Sequence, residues 1–197
     1  MKYSLTVFLI FLSLVTKSQH YKGLREVSLG ESTRKGYSIM YGKFIQRLGF
    51  SSGGFPQDIR LLNTETKEII TFRVKPIFKS ARKNNFYFFI QAGHYAILNY
   101  WWTKSMVYGG EVHTESIYKK TKVNDSAERG LKSGVTNTEY QRYYTFTIAE
   151  NSLNYMGTWH FDTEQVFFTN DKEKMDRSTG YKYSNIDFSE AIINLPQ

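Results

Sequence analysis

Apolar side chains recur at every second position through most of the chain. Between Glu68 and Val74, Ile70, Phe72 and Val74 alternate with Ile69, Thr71 and Arg73. Phe86, Phe88 and Ile90 alternate with Tyr87, Phe89 and Gln91, and Tyr144, Phe146 and Ile148 with Tyr143, Thr145 and Thr147. From Leu153 to Asp162 the same rule sets Leu153, Tyr155, Gly157, Trp159 and Phe161 against Asn154, Met156, Thr158, His160 and Asp162. A strand turns successive side chains to opposite faces, so each run predicts a strand with one face in a core. Turn chemistry falls between the runs, at Asn63–Lys67, Asn84-Asn85, Ala92-Gly93 and Ala149–Ser152. Short links of this kind predict antiparallel hairpins. One-sided strands need a second layer to hide their apolar faces, so the fold class expected is a mainly β, antiparallel β-sandwich.

Three stretches break the pattern. Gln19–Gly36 is polar and aperiodic, which predicts a flexible leader over 19–36 ahead of a single domain over 37–197. Thr103–Glu139 is long and polar, with one strand expected near Met106–Tyr118 and a loop near 119–137. Near the end the period changes. Asp187 is placed to cap a helix carrying Phe188, Ala191, Ile192 and Leu195, with Glu190 at the capping-box position and Pro196 as the stop. That predicts a short C-terminal helical segment over 187–195, and a weaker signal marks another helix at Asn170–Arg177.

The N-terminus reads as a secretory signal. Lys2 precedes the uncharged run Leu5–Val15, and Thr16 and Ser18 set small residues at the −3 and −1 positions of a cut before Gln19. An 11-residue helix rises only about 17 Å, short of a hydrocarbon core of roughly 30 Å. The expectation is a cleaved signal peptide at 1–18 and no membrane span afterwards. The mature chain is expected to be exported, whether periplasmic, on the cell surface or secreted. Among the 197 residues there is no cysteine, which excludes disulfides, Cys-ligated zinc, iron–sulfur clusters and thiol nucleophiles. The formal charge is +8, but the basic residues are scattered and no dense basic helix appears, so nucleic acid is not expected as a partner.

The middle of the chain resembles the transthyretin-like, carboxypeptidase-regulatory-type β-sandwich. The residues that carry the likeness are YSIMYGKF at 37–44, DIRLLNTETKE at 58–68 and NNFYFFIQAGHYAIL at 84–98. Phe86, Phe88, Gly93 and Tyr95 stand at that family's core and turn positions. Further on, YYTFTIAENSLNYMGTWHFD at 143–162 looks like the late hairpin of small bacterial envelope proteins of unassigned function. The resemblance implies a sandwich of the transthyretin-like or immunoglobulin-like kind and says little about activity.

Candidate chemistry is sparse. Tyr100, Trp101 and Trp102 are consecutive, so a strand must turn at least one large ring away from the core. Exposed flat rings stack on sugars or anchor protein partners, which makes these three the candidate binding residues. Glu111, His113 and Glu115 share one strand face and are the candidate metal ligands, although no zinc-binding spacing supports them. His160 and Asp162 likewise share a face and suit an oriented imidazole. Two functions follow from these residues. The first is a non-enzymatic envelope or secreted module that binds a protein or glycan partner, with no cofactor. The second is a secreted metal-dependent or His/carboxylate hydrolase using His113 with Glu115, or His160 with Asp162. The oligomeric state is left open.

Overall fold

The computed structural model describes residues 21–46, 57–74, 83–105, 108–119, 142–163 and 165–197. The signal expected at 1–18, and all of the loop expected near 119–137 except Lys119, lie outside the described residues. The rest is mainly β, in two sheets. In the first, β1 (Lys22–Gly23), β4 (Ile69–Val74), β3 (Gln57–Asn63), β6 (Gly93–Ser105) and β7 (Gly110–Ser116) lie in that order, and β8 (Tyr144–Ile148) also pairs with β6. In the second, β10 (Phe167–Thr169), β9 (Leu153–Phe161), β2 (Ser38–Gln46) and β5 (Lys83–Ile90) lie in order, with β11 (Ile192–Ile193) also beside β9.

Both sheets are mixed rather than antiparallel. β1 runs parallel to β4, and β9 runs parallel to both β2 and β11. The expected hairpins explain the difference. Asn63–Lys67 does close one, with Asn63 Oδ1 accepting from the backbone N–H of Glu65 and Thr66 at 3.0 Å each. Ala92-Gly93 and Ala149–Ser152 instead carry the chain from one sheet to the other. A short link looks the same in sequence whether the next strand pairs beside the last or crosses over it. Asn84-Asn85 is no turn either; both residues sit in β5, opposite Phe44 and Lys43 of β2.

One buried cluster draws on both sheets. Met40, Phe44, Phe86, Phe88, Met156, Trp159 and Phe161 from the second sheet meet Ile59, Leu61, Ile70, Phe72, Val74, Ile97 and Phe146 from the first. Phe72 lies 5.2 Å from Phe88 and 5.8 Å from Trp159, centroid to centroid. The alternation in β4, β5 and β8 reaches the core as expected. In β9 it does not. Tyr41 faces Tyr155 but Lys43 faces Thr158, so β9 carries one extra residue, and Gly157 takes a φ of +84° there. This bulge reverses the facing. Met156, Trp159 and Phe161 point into the shared core, while Leu153 and Tyr155 point outward.

The outward face of the second sheet is covered as well. Tyr155, Tyr41 and Tyr87 form a row across β9, β2 and β5. Each hydroxyl meets a different part of helix α1 (Lys172–Thr179). The Tyr155 hydroxyl accepts from the Asp171 N–H at 3.0 Å, Tyr41 donates to Asp176 Oδ1 at 2.8 Å, and Tyr87 bonds Thr179 Oγ1 at 2.8 Å. This helix occupies the weaker of the two expected positions. The helix expected over 187–195 is replaced by a single 3₁₀ turn at Phe188–Glu190 followed by β11. Asp187 does cap, accepting from the Ser189 N–H at 2.9 Å. However, the β-branched pair Ile192-Ile193 gains more from pairing with Asn154 and Tyr155 of β9 than from another turn.

The two ends of the described chain tie the sheets together. Within the expected leader, the Leu24 N–H donates to Thr71 O on β4, and Val27 N–H and Arg25 O pair with Tyr87 and Phe89 on β5. On the opposite side, the Asn194 N–H donates to Tyr155 O on β9, and Gln197 exchanges two backbone bonds with Thr145 on β8. Each segment passes from an edge of one sheet to an edge of the other, covering backbone that would otherwise be unpaired.

The tyrosine row predicts an alkaline limit. Burial raises the Tyr41 phenol and pushes Tyr87 up to about 12 from an ordinary value of 10. The stabilisation is therefore complete below pH 10 and declines as pH rises through 12, because the unfolded chain ionises first. For Tyr87 alone the loss amounts to about 2–3 kcal/mol at roughly 1.4 kcal/mol per unit. Urea melts from pH 8 upward, followed with phenolate absorbance, check this; ionisation of these rings at ordinary pKa without loss of stability would contradict it.

Candidate functional site

The first sheet has a different outer face. Its inward residues Ile59, Leu61, Ile70, Phe72 and Val74 belong to the core, so Asp58, Arg60, Ile69, Thr71 and Arg73 face outward. Among the described residues, no helix or sheet covers this face as α1 covers the second sheet. Pairing arranges its side chains in rows. Thr71, Arg60, Asn99 and Ser116 make one row; Arg73, Asp58, Trp101 and Thr114 make the next.

The three candidate aromatics part company here. Tyr100 opposes Ile59 and packs inward, with its ring 4.8 Å from Phe161 and its hydroxyl donating to Glu115 Oε2 at 2.5 Å. Trp101 opposes Asp58 on the outer face and is half-buried. Trp102 pairs with His113 along the backbone, and its side chain lies outside the described residues. The structure therefore makes Trp101 the outward ring and Tyr100 a core ring.

Trp101 has charged neighbours that the sequence did not bring together. The Arg73 guanidinium lies 5.9 Å from the Trp101 ring centre. It also forks onto Asp58, Nε donating to Oδ1 at 3.0 Å and Nη2 to Oδ2 at 2.7 Å. Asp58 is buried, and its carboxylate raises the Arg73 pKa, holding the guanidinium charged. One row away, Arg60 lies under the Tyr21 ring at 4.5 Å. Strand register assembles the residues from positions 58–60, 73 and 99–101, and Tyr21 joins them through its ring contact with Arg60.

The other candidates take less concerted positions. His113 Nε2 lies 3.3 Å from Glu111 Oε2, but Glu115 is engaged by Tyr100. Among the described residues no group of three His, Asp or Glu side chains converges to hold a metal ion. His160 stacks on Phe167 at 4.2 Å, with Nε2 2.9 Å from Thr169 Oγ1 and Nδ1 3.7 Å from Asp162 Oδ1. An acid–imidazole–hydroxyl order is present, yet the 3.7 Å gap is too long for a hydrogen bond to orient the ring. His94, next to Gly93 at the start of β6, lines a cleft of about 300 Å³ with Thr145, Thr147, Asn194 and Gln197. Its Nδ1 is 2.7 Å from Thr147 Oγ1, and Nε2 is 3.7 Å from Glu65 Oε1. Both side chains stand well out in water, where such a pair has little power to activate a hydroxyl.

No known protein family matches the chain, and no curated protein does. Among solved structures, a leucine-rich repeat protein from Bacteroides thetaiotaomicron is similar at 12% identity and a TM-score of 0.38. The match covers 75% of this chain and 16% of that one, so the chain spans about a sixth of its length. Among the described residues, no helix is long and apolar enough to cross a membrane.

Proposed function

We propose that the chain is an exported, non-enzymatic β-sandwich module of transthyretin-like type that binds a glycan or protein partner through the outer face of its first sheet. Export is supported by the signal-like start, with Lys2, the apolar run Leu5–Val15 and small residues at Thr16 and Ser18. The sandwich type is supported by the likeness of residues 37–100 and by a core shared between two sheets. One observation carries the binding reading. Trp101 stands on the outer face, braced by an Arg73–Asp58 fork that keeps a charged, rigid border beside the ring. A large ring set in a polar rim is the composition of binding surfaces rather than of ordinary solvated strands.

Replacing Trp101 by alanine is expected to abolish partner capture in crosslinking of the exported protein while shifting stability by less than about 1 kcal/mol. A loss of several kcal/mol would make Trp101 a packing residue and remove the reading. Cell fractionation tests the export half: the mature chain belongs outside the cytoplasm with its N-terminus near Gln19.

A further inference from the structure

Among the described residues the outer face carries a cation, Arg60, that no carboxylate answers. Asp58 neutralises Arg73, and Lys22 pairs with Glu68 at 3.5 Å. Among the described residues no carboxylate pairs with Arg60, whose contact is the Tyr21 ring. Directly across the strand pair stands Asn99. Arg60 Nε and Asn99 Oδ1 are both sealed from water without a hydrogen-bond partner, while the terminal nitrogens of Arg60 reach solvent. An orphaned donor opposite an orphaned acceptor is unusual, because buried polar atoms are nearly always paired. Two residues from Asn99 along β6, about 7 Å away, the Trp101 ring faces outward.

These groups ask for one chemistry. The guanidinium calls for an anion, and carboxylate is the one it meets bidentately in plane. The Trp101 ring calls for a flat, weakly polar face to lie on it. A uronate sugar carries a carboxylate and such a face on one ring, whereas a neutral sugar leaves Arg60 unanswered. We infer that the outer-face strip of Arg60 and Trp101 binds a carboxylate-bearing oligosaccharide of uronic acids, its carboxylate on Arg60 and a pyranose face on Trp101. This rests on the proposal that the Trp101 face is a binding surface and names its ligand class. A protein partner is the competing occupant; it would require no carboxylate next to a sugar ring.

Calorimetric titration of the mature chain with trimers of galacturonate and of mannuronate, each beside its methyl ester, tests this. The acid forms are expected to bind at least about tenfold more tightly than the esters, and increasingly so as salt is lowered. Arg60→Gln should erase that preference and Arg60→Lys keep part of it, since the charge survives without the planar fork. Trp101→Ala should weaken acid and ester alike. Thermal melts of each variant confirm that it is folded. Equal binding of acid and ester, or an unaffected Arg60→Gln, overturns the uronate assignment but leaves the surface reading standing if Trp101→Ala still abolishes binding. No saccharide binding at all, with crosslinking to a protein still dependent on Trp101, overturns the assignment in favour of a protein partner. No dependence on Trp101 in either assay removes both.

Discussion

Replacing Trp159 by alanine is expected to destabilise the domain by roughly 3–5 kcal/mol, a large part of what a domain of this size possesses. The indole is fully buried between the sheets. Its ring centre lies 5.3 Å from Phe168, 5.5 Å from Phe86 and 5.8 Å from Phe72, so it joins β10 and β5 to β4 of the facing sheet. Its Nε1 also donates to Met156 O at 2.8 Å inside the bulge. Alanine would leave a cavity among rigid rings that have few alternative positions, and would strand that carbonyl as well. Trp159→Phe should recover most of the packing but not the hydrogen bond, costing about 1–3 kcal/mol. Urea titrations of the protein and its variants measure both. A loss under 1 kcal/mol for the alanine variant would mean that Trp159 is not in the core.

The second large effect is expected at Gly157. Its φ of +84° is a conformation that side chains disfavour by about 1–2 kcal/mol. A Cβ there would also lie 2.8 Å from Thr169 O on β10 and 2.5 Å from Leu195 Cδ2 in the C-terminal strap. The leucine side chain can move; the backbone carbonyl can move only by shifting β10. Across the bulge, a Cβ on Gly42 would meet Gly157 O at 2.6 Å. The two central strands thus approach one another through a pair of glycines. Gly157→Ala is expected to cost about 2–5 kcal/mol, the sum of backbone strain and overpacking. Chemical-shift changes should spread to residues 167–169 and 192–197. A variant as stable as the parent, with those segments unmoved, would show that the bulge is not built as described.

The same bulge is invisible in the two-residue repeat. Strict alternation groups Tyr155 with Trp159, because four positions apart is an even number. One extra residue in β9 sends them to opposite faces. Met156, which the alternation puts on the outside, belongs to the main core instead. In β5 the expectation of one apolar face was too modest, since Tyr87 and Phe89 are as buried as Phe86 and Phe88. The abundance of rings on both faces was visible in the sequence; that a helix and an N-terminal strap would cover the second face was not. At the candidate site, the consecutive rings at 100–102 lie on β6, where the register turns Trp101 outward and Tyr100 inward. Arg60, Arg73 and Asp58 carried no signal, because a lone Arg on a strand looks like solvated charge until its cross-strand neighbour is known.

By itself the chain determined that strands would dominate, where most of them would lie, and which faces of β4, β5 and β8 would meet a core. Those features follow from a two-residue repeat, which is local. Which sheet each strand joins, the parallel pairing of β2 with β9, the fate of residues 187–195 and the gathering of Trp101 with two arginines were decided only in three dimensions. Each depends on partners tens of residues away, whose hydrogen bonds and buried surface outweigh the modest preferences of any short segment.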